Sequence, residues 1–179
     1  MLTQQERQAA RSIEDAIALE DWSKARRLIR EQMGRKPNDH WLLTRLGLTY
    51  YEERRYRRAL QYSLKALQIQ PYCPLAIWDY AGTLDMLGRR KETLQLYRWL
   101  INRGEDTLAY GQCGEGIGSA RSLIADCFFR IAQIYEETGQ RKKAIAAYRA
   151  HLTRRTRGTR SIYPLRTIRK RIAVLEKAD

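Results

Sequence analysis

The residues best equipped for chemistry in this chain are its cations, which gather in short runs. Arg54, Arg55, Arg57 and Arg58 flank Tyr56, Arg89, Arg90 and Lys91 form a second run, and Arg141, Lys142 and Lys143 a third. Arg154, Arg155, Arg157 and Arg160 follow. Such runs attract phosphate backbones or an anionic membrane surface through counterion release and long-range attraction. They also serve, more simply, as a solvated face. The formal net charge is +14, from 34 Lys and Arg against 20 Asp and Glu. Residues 141–179 hold 13 basic and 2 acidic residues, a net of +11, which leaves +3 for residues 1–140. The positive field therefore belongs to the carboxy-terminal end. No nucleic-acid-binding motif accompanies it, so nucleic acid enters as a partner without sequence specificity.

Other chemistry finds little support. Gly114, Gly116 and Gly118 precede a helix start and could offer backbone N–H groups to an anion. No strand precedes them and no Gly-Lys-Ser or Gly-Lys-Thr follows, so the segment reads as a loop rather than a nucleotide site. Cys73, Cys113 and Cys127 lack metal-ligand spacing, and His40 and His151 have no partner at such spacing. No nucleophile stands beside a base. The expectation is a protein without catalysis, metal or cofactor. Residues 1–7 lack the basic start and apolar run of a secretory signal, and reduced thiols fit the cytoplasm. No stretch approaches the roughly 18 apolar residues of a membrane span.

The elements that must position these residues are helices. Apolar periodicity predicts pairs at 4–18 and 22–33, 40–52 and 56–69, 74–86 and 90–103, and 119–137 and 141–155. Pro37, Pro71 and Pro74 stand between pairs, where helices should stop. A last helix is expected over 164–177, opened by Pro164 and striped by Leu165, Ile168, Ile172 and Leu175. Residues 108–124 interrupt the series. Their glycines argue against helix, and Ser119 is the expected cap of a helix extended backwards.

The pairs recur with a period of 34 residues. Residues 40–73 carry Leu43, Leu46, Gly47, Tyr50, Ala59, Ala66 and Pro71, and residues 74–107 carry Ile77, Tyr80, Ala81, Leu84, Thr93, Tyr97 and Leu100. Residues 6–39 are a weaker copy with Ala9, Ile13, Ala16, Trp22, Ala25 and Ile29. Residues 125–158 add Phe128, Ile131, Ala132, Tyr135, Gly139, Ala144 and Tyr148, with His151 where alanine is usual. This pattern resembles the tetratricopeptide repeat. The resemblance implies an all-α fold: a right-handed α-solenoid of four helix-turn-helix units plus a carboxy-terminal capping helix, in one domain over 1–179.

The resemblance also implies a function. The first helix of each unit would line a concave groove that binds a protein segment. The inward positions fall on Arg11, Trp41, Arg45, Tyr51, Trp78, Phe129 and Arg130. Aromatic residues beside arginines are common binding hot spots. Trp41, Trp78 and Phe129 would hold apolar side chains of an extended or helical segment, and Arg11, Arg45 and Arg130 its carboxylates. Some family members clamp a carboxylate with inward asparagines. Here Glu14 and Leu48 stand at such positions, which argues against that role. The expected protein is an adaptor or scaffold for an acidic protein or peptide partner, with a nucleic-acid or anionic-surface binder as the alternative and self-association as a third option.

Overall fold

The computed structural model describes residues 3–155 and 159–177, so Arg157 lies outside the described residues. Among these there are ten helices and no strand: α1 (Gln4–Ala18), α2 (Trp22–Arg35), α3 (His40–Glu52), α4 (Tyr56–Ile69), α5 (Pro74–Met86), α6 (Arg90–Arg103), α7 (Glu105–Tyr110), α8 (Ile117–Glu137), α9 (Arg141–Arg154) and α10 (Leu165–Lys177). They form two compact units, Met1–Arg89 and Arg90–Asp179.

Local chemistry starts and stops these helices. Thr3 and Glu6 make a reciprocal capping box at α1, with Thr3 N–H donating to Glu6 Oε2 at 2.6 Å and Glu6 N–H to Thr3 Oγ1 at 3.2 Å. Asp21 caps α2 and Asp39 caps α3 through their carboxylates. Pro74 occupies the first turn of α5, where its missing N–H has no helical partner to lose. Four helices end in the same way. Glu20, Arg54, Gly88 and Gly139 adopt φ of 55°, 59°, 77° and 70°. At each, that residue's N–H bonds three residues back and the next N–H bonds five back, as in Arg54 to Tyr51 O and Arg55 to Tyr50 O. This closes the last carbonyls of the helix in a Schellman motif.

In the first unit the core runs through Ile13, Ile29, Leu42, Leu46, Tyr50 and Ala59, with Trp41, Tyr51 and Tyr62 packed around it. Tyr50 and Tyr62 stack with centroids 5.4 Å apart. Tyr50 also accepts a 3.1 Å hydrogen bond from Arg30 and lies under the Arg26 guanidinium. Full burial of a side chain such as Leu46 contributes roughly 1.5–3 kcal/mol. At Ser63, where an aromatic is usual, the hydroxyl donates to Ala59 O at 3.0 Å, which satisfies a small polar group in a buried seam.

In the second unit α8 is the central helix, packed by α6, α7 and α9, while α10 lies on α9. Tyr97, Leu100, Ile124, Ala132, Ile134, Tyr148 and Ile168 are fully or almost fully buried. His151 is buried at the alanine position, its Nδ1 2.7 Å from Ala125 O. Two features differ from expectation. Residues 105–110 form the short helix α7, driven by Glu105 and Asp106 in its first turn and by burial of Leu108 and Ala109. Helix α8 starts at Ile117, so Ser119 lies inside it and Gly116, at φ 87°, takes the cap. Between them the chain doubles back so closely that a Cβ at Gly111 or Gly114 would collide with the carbonyl oxygens of Thr107 or Ala109.

Gly47 is the tight point between α3 and α4. An added Cβ would meet Ala59 O and Ser63 Oγ at 3.4 Å, which is ordinary contact. Gly47→Ala is therefore expected to leave stability unchanged or raise it by up to about 1 kcal/mol through helix propensity. Gly47→Leu should lower it by about 1–3 kcal/mol by forcing α3 from α4. Chemical denaturation of both variants measures the difference.

Candidate functional site

The first unit brings α1, α3 and α5 together through ionisable side chains. Arg45 Nε donates to Glu14 Oε1 at 2.6 Å, joining α3 to α1, and its guanidinium sits 5.5 Å from the Trp41 ring centroid. Only 15% of the Arg45 side chain is exposed, against 43% for Glu14. Arg45 is thus engaged by a carboxylate of its own chain rather than standing ready for one of a partner, because α1 supplies an acid one repeat earlier. Asp79 on α5 belongs to the same cluster. Burial pushes its carboxyl up to about 7, with Arg45 opposing the shift and Glu52 and Glu14 adding to it. Its Oδ2 is buried without a hydrogen-bond partner. Burial also raises Glu52, with Glu20 adding to the effect. Asp79 and Glu52 were legible as residues but not as a pair of perturbed acids, since the burial that raises both comes from tertiary packing rather than from any local pattern.

The aromatic positions divide. Trp41 is half-buried against the core. It also lines a cavity of about 260 Å³ with Ala9, Ala10, Ile13 and Leu42, to which the ion-paired Glu6 and Lys36 contribute as well. Tyr51 is half-buried and meets Tyr56 edge-on at 5.5 Å. Trp78 is half-buried and Arg11 is exposed.

In the second unit Arg130 is half-buried, but Phe129 is not an open groove residue. It is 6% exposed and stacked on Tyr163, centroids 3.7 Å apart, with Tyr148 and His151 edge-on to it. The expectation of an exposed ring fails because the segment after α9 folds back over it. Beside it, Asp126 accepts a short hydrogen bond from the Ser161 hydroxyl and another from the Ile162 backbone N–H. Burial nevertheless pushes Asp126 up to about 6.

The cationic runs are partly engaged. Arg55 pairs with Glu53 at 3.4 Å, Arg90 with Glu137 at 2.7 Å and Arg154 with Glu105 at 3.4 Å. Arg58 lies over Tyr50, Lys143 donates to Gln140 and stands over Tyr135, and Arg155 donates to Tyr163 O at 3.0 Å. Arg141 is half-buried, while Arg54, Arg57, Arg89, Lys91, Lys142 and Arg160 are exposed. No helix among the described residues is long and apolar enough to cross a membrane.

Asp79 yields a pH prediction. The folded state keeps its proton up to about pH 7, whereas an unfolded aspartate releases it near 4. The folded state therefore binds more protons through that window, and stability falls as pH rises across it. Asp79→Asn keeps the shape and removes the charge. It should match the wild type near pH 4 and exceed it at pH 8 by about 1–3 kcal/mol in denaturant melts.

The tetratricopeptide repeat model matches residues 42–73 and 125–155. Among solved structures the chain is similar to BtubC from P. vanneervenii, with a TM-score of 0.70 and 16% identity over 99% of this chain and 85% of that one. It is similar to MamA from Desulfovibrio magneticus RS-1 with a TM-score of 0.63 and 15% identity, over 87% and 78% of the two chains. A further MamA crystal structure gives 0.58 and 16% over 80% and 74%. Likeness at these identities is one of fold. Comparison with curated protein sequences gives no match. The repeat is matched once in each unit and the solved structures share the all-α fold: the chain carries tetratricopeptide repeats at residues 42–73 and 125–155.

Proposed function

We propose that this chain is a non-enzymatic scaffold of the cytoplasm that holds a protein segment on the face of the first unit formed by α1, α3 and α5. The observation that carries this reading is the cluster of Arg45, Glu14, Glu52 and Asp79, with half-buried Trp41 against Arg45 and a buried carboxyl oxygen of Asp79 that has no donor. Half-exposed aromatic rings supply contact area at little entropic cost, and an unsatisfied acceptor rewards a ligand that brings an N–H. Glu14, Glu52 and Asp79 take donors, and exposed Arg11 takes a carboxylate. The fitting segment is extended or helical and of mixed, partly acidic charge. Its apolar side chains would reach Trp78 and the cavity beside Trp41.

Selection of displayed random peptides against the whole protein tests this. The selected peptides should lose roughly tenfold or more in affinity for a Trp78→Ala variant that keeps its helical circular dichroism. Peptides that bind wild type and variant alike would refute the assignment of this face.

A second reading, contact with nucleic acid or another anionic surface, is favoured by the exposed Arg54, Arg57, Lys91, Lys142 and Arg160. It predicts binding to a generic RNA that weakens steeply with salt. Replacing Lys142 and Arg160 by glutamine should flatten that dependence. No RNA binding at low salt would exclude the nucleic-acid form, and vesicles of anionic lipid test the membrane form.

A further inference from the structure

Phe129, expected from sequence to line the groove, and Asp126, one turn before it on α8, are both covered by the chain itself. Tyr163 stacks on Phe129 with its ring 15° from parallel. The Ser161 hydroxyl and the Ile162 N–H both donate to Asp126. Ser161 Oγ in turn accepts the Tyr163 N–H at 3.0 Å, and Arg155 donates to the Tyr163 carbonyl. Ile162, between the two anchoring side chains, points to solvent with 74% of its surface exposed. Residues 159–163 belong to no helix, so these side-chain contacts hold them rather than a backbone ladder.

The arrangement has the anatomy of a bound peptide. An aromatic ring fills an apolar platform, and donors satisfy a carboxylate that burial would otherwise penalise. The residue between them is unread. We propose that this face of α8 is a second recognition site. It is occupied at rest by the chain's own Ser161-Ile162-Tyr163 and takes a protein segment that offers a hydroxyl followed two residues later by an aromatic ring. The site lies wholly within the second unit and stands independently of the reading given for the first. Specificity follows from the pocket. A segment without the hydroxyl leaves Asp126 short of a donor, and one without the ring leaves Phe129 wet. Affinity in trans is reduced by the fraction of molecules in which the resident segment is seated, so weakening that segment should strengthen outside binding.

The test uses the whole protein and a fluorescein-labelled hexapeptide of its own residues 159–164, read by anisotropy. Ser161→Ala/Tyr163→Ala should bind the peptide about tenfold or more tightly than wild type. A control peptide with both anchoring residues changed to alanine should not bind. A variant that keeps its circular dichroism and cooperative melt yet binds no better than wild type overturns the proposal, as does equal binding of the control peptide. Loss of fold in the double variant moves the same comparison to Tyr163→Ala alone, with the same two outcomes deciding.

Discussion

At Gly47 the backbone of α3 comes close enough to α4 that even one added methyl group would touch the Ala59 carbonyl oxygen. That approach lets Leu46 and Tyr50 reach across to the neighbouring pair, because a helix pair held farther apart would leave their stripe half wet. An isolated pair has too little apolar surface to offset its ordering entropy. Each pair must therefore share its stripe with the next, and the surfaces left over are the ones available to ligands.

The fold was largely legible because its signals are local. The 34-residue period, the prolines between pairs and the small residues at close approaches all follow from helix packing, and they place nine of the ten helices within a few residues. What was missed was short or tertiary. Helix α7 is six residues long and carries no periodicity. The cap of α8 depends on a left-handed glycine rather than a hydroxyl. The binding surface was legible only in part. Residue positions on the first helix of each unit could be listed, but not what covers them. Arg45 meets Glu14 across 31 residues and Phe129 meets Tyr163 across 34, and no local pattern announces either contact.

Charge is handled in the same economical way. The formal excess of positive charge suggests a broad attractive field, yet many of the cations named from sequence have acids, ring faces or carbonyls of their own chain beside them. Ion pairs on an exposed surface contribute little to stability, about 0–1 kcal/mol each. Their larger effect is to shape the field. Acids of the same chain absorb part of it and leave a smaller set of arginines and lysines facing water.

The repeated turn that ends four helices shows where this chain has kept composition against conformational ease. Gly88 and Gly139 take the left-handed backbone at no steric penalty, whereas Glu20 and Arg54 hold the same geometry with a full side chain. A left-handed residue with a Cβ costs roughly 1 kcal/mol relative to glycine. The four positions are structurally equivalent, so glycine at 20 or 54 is within reach of single substitutions and would ease the fold. The chain carries charged side chains there instead, one acid and one base. The repeat therefore holds a reserve of stability that its present sequence leaves undrawn, and Arg54 is the point where that reserve and the cationic surface compete for one residue.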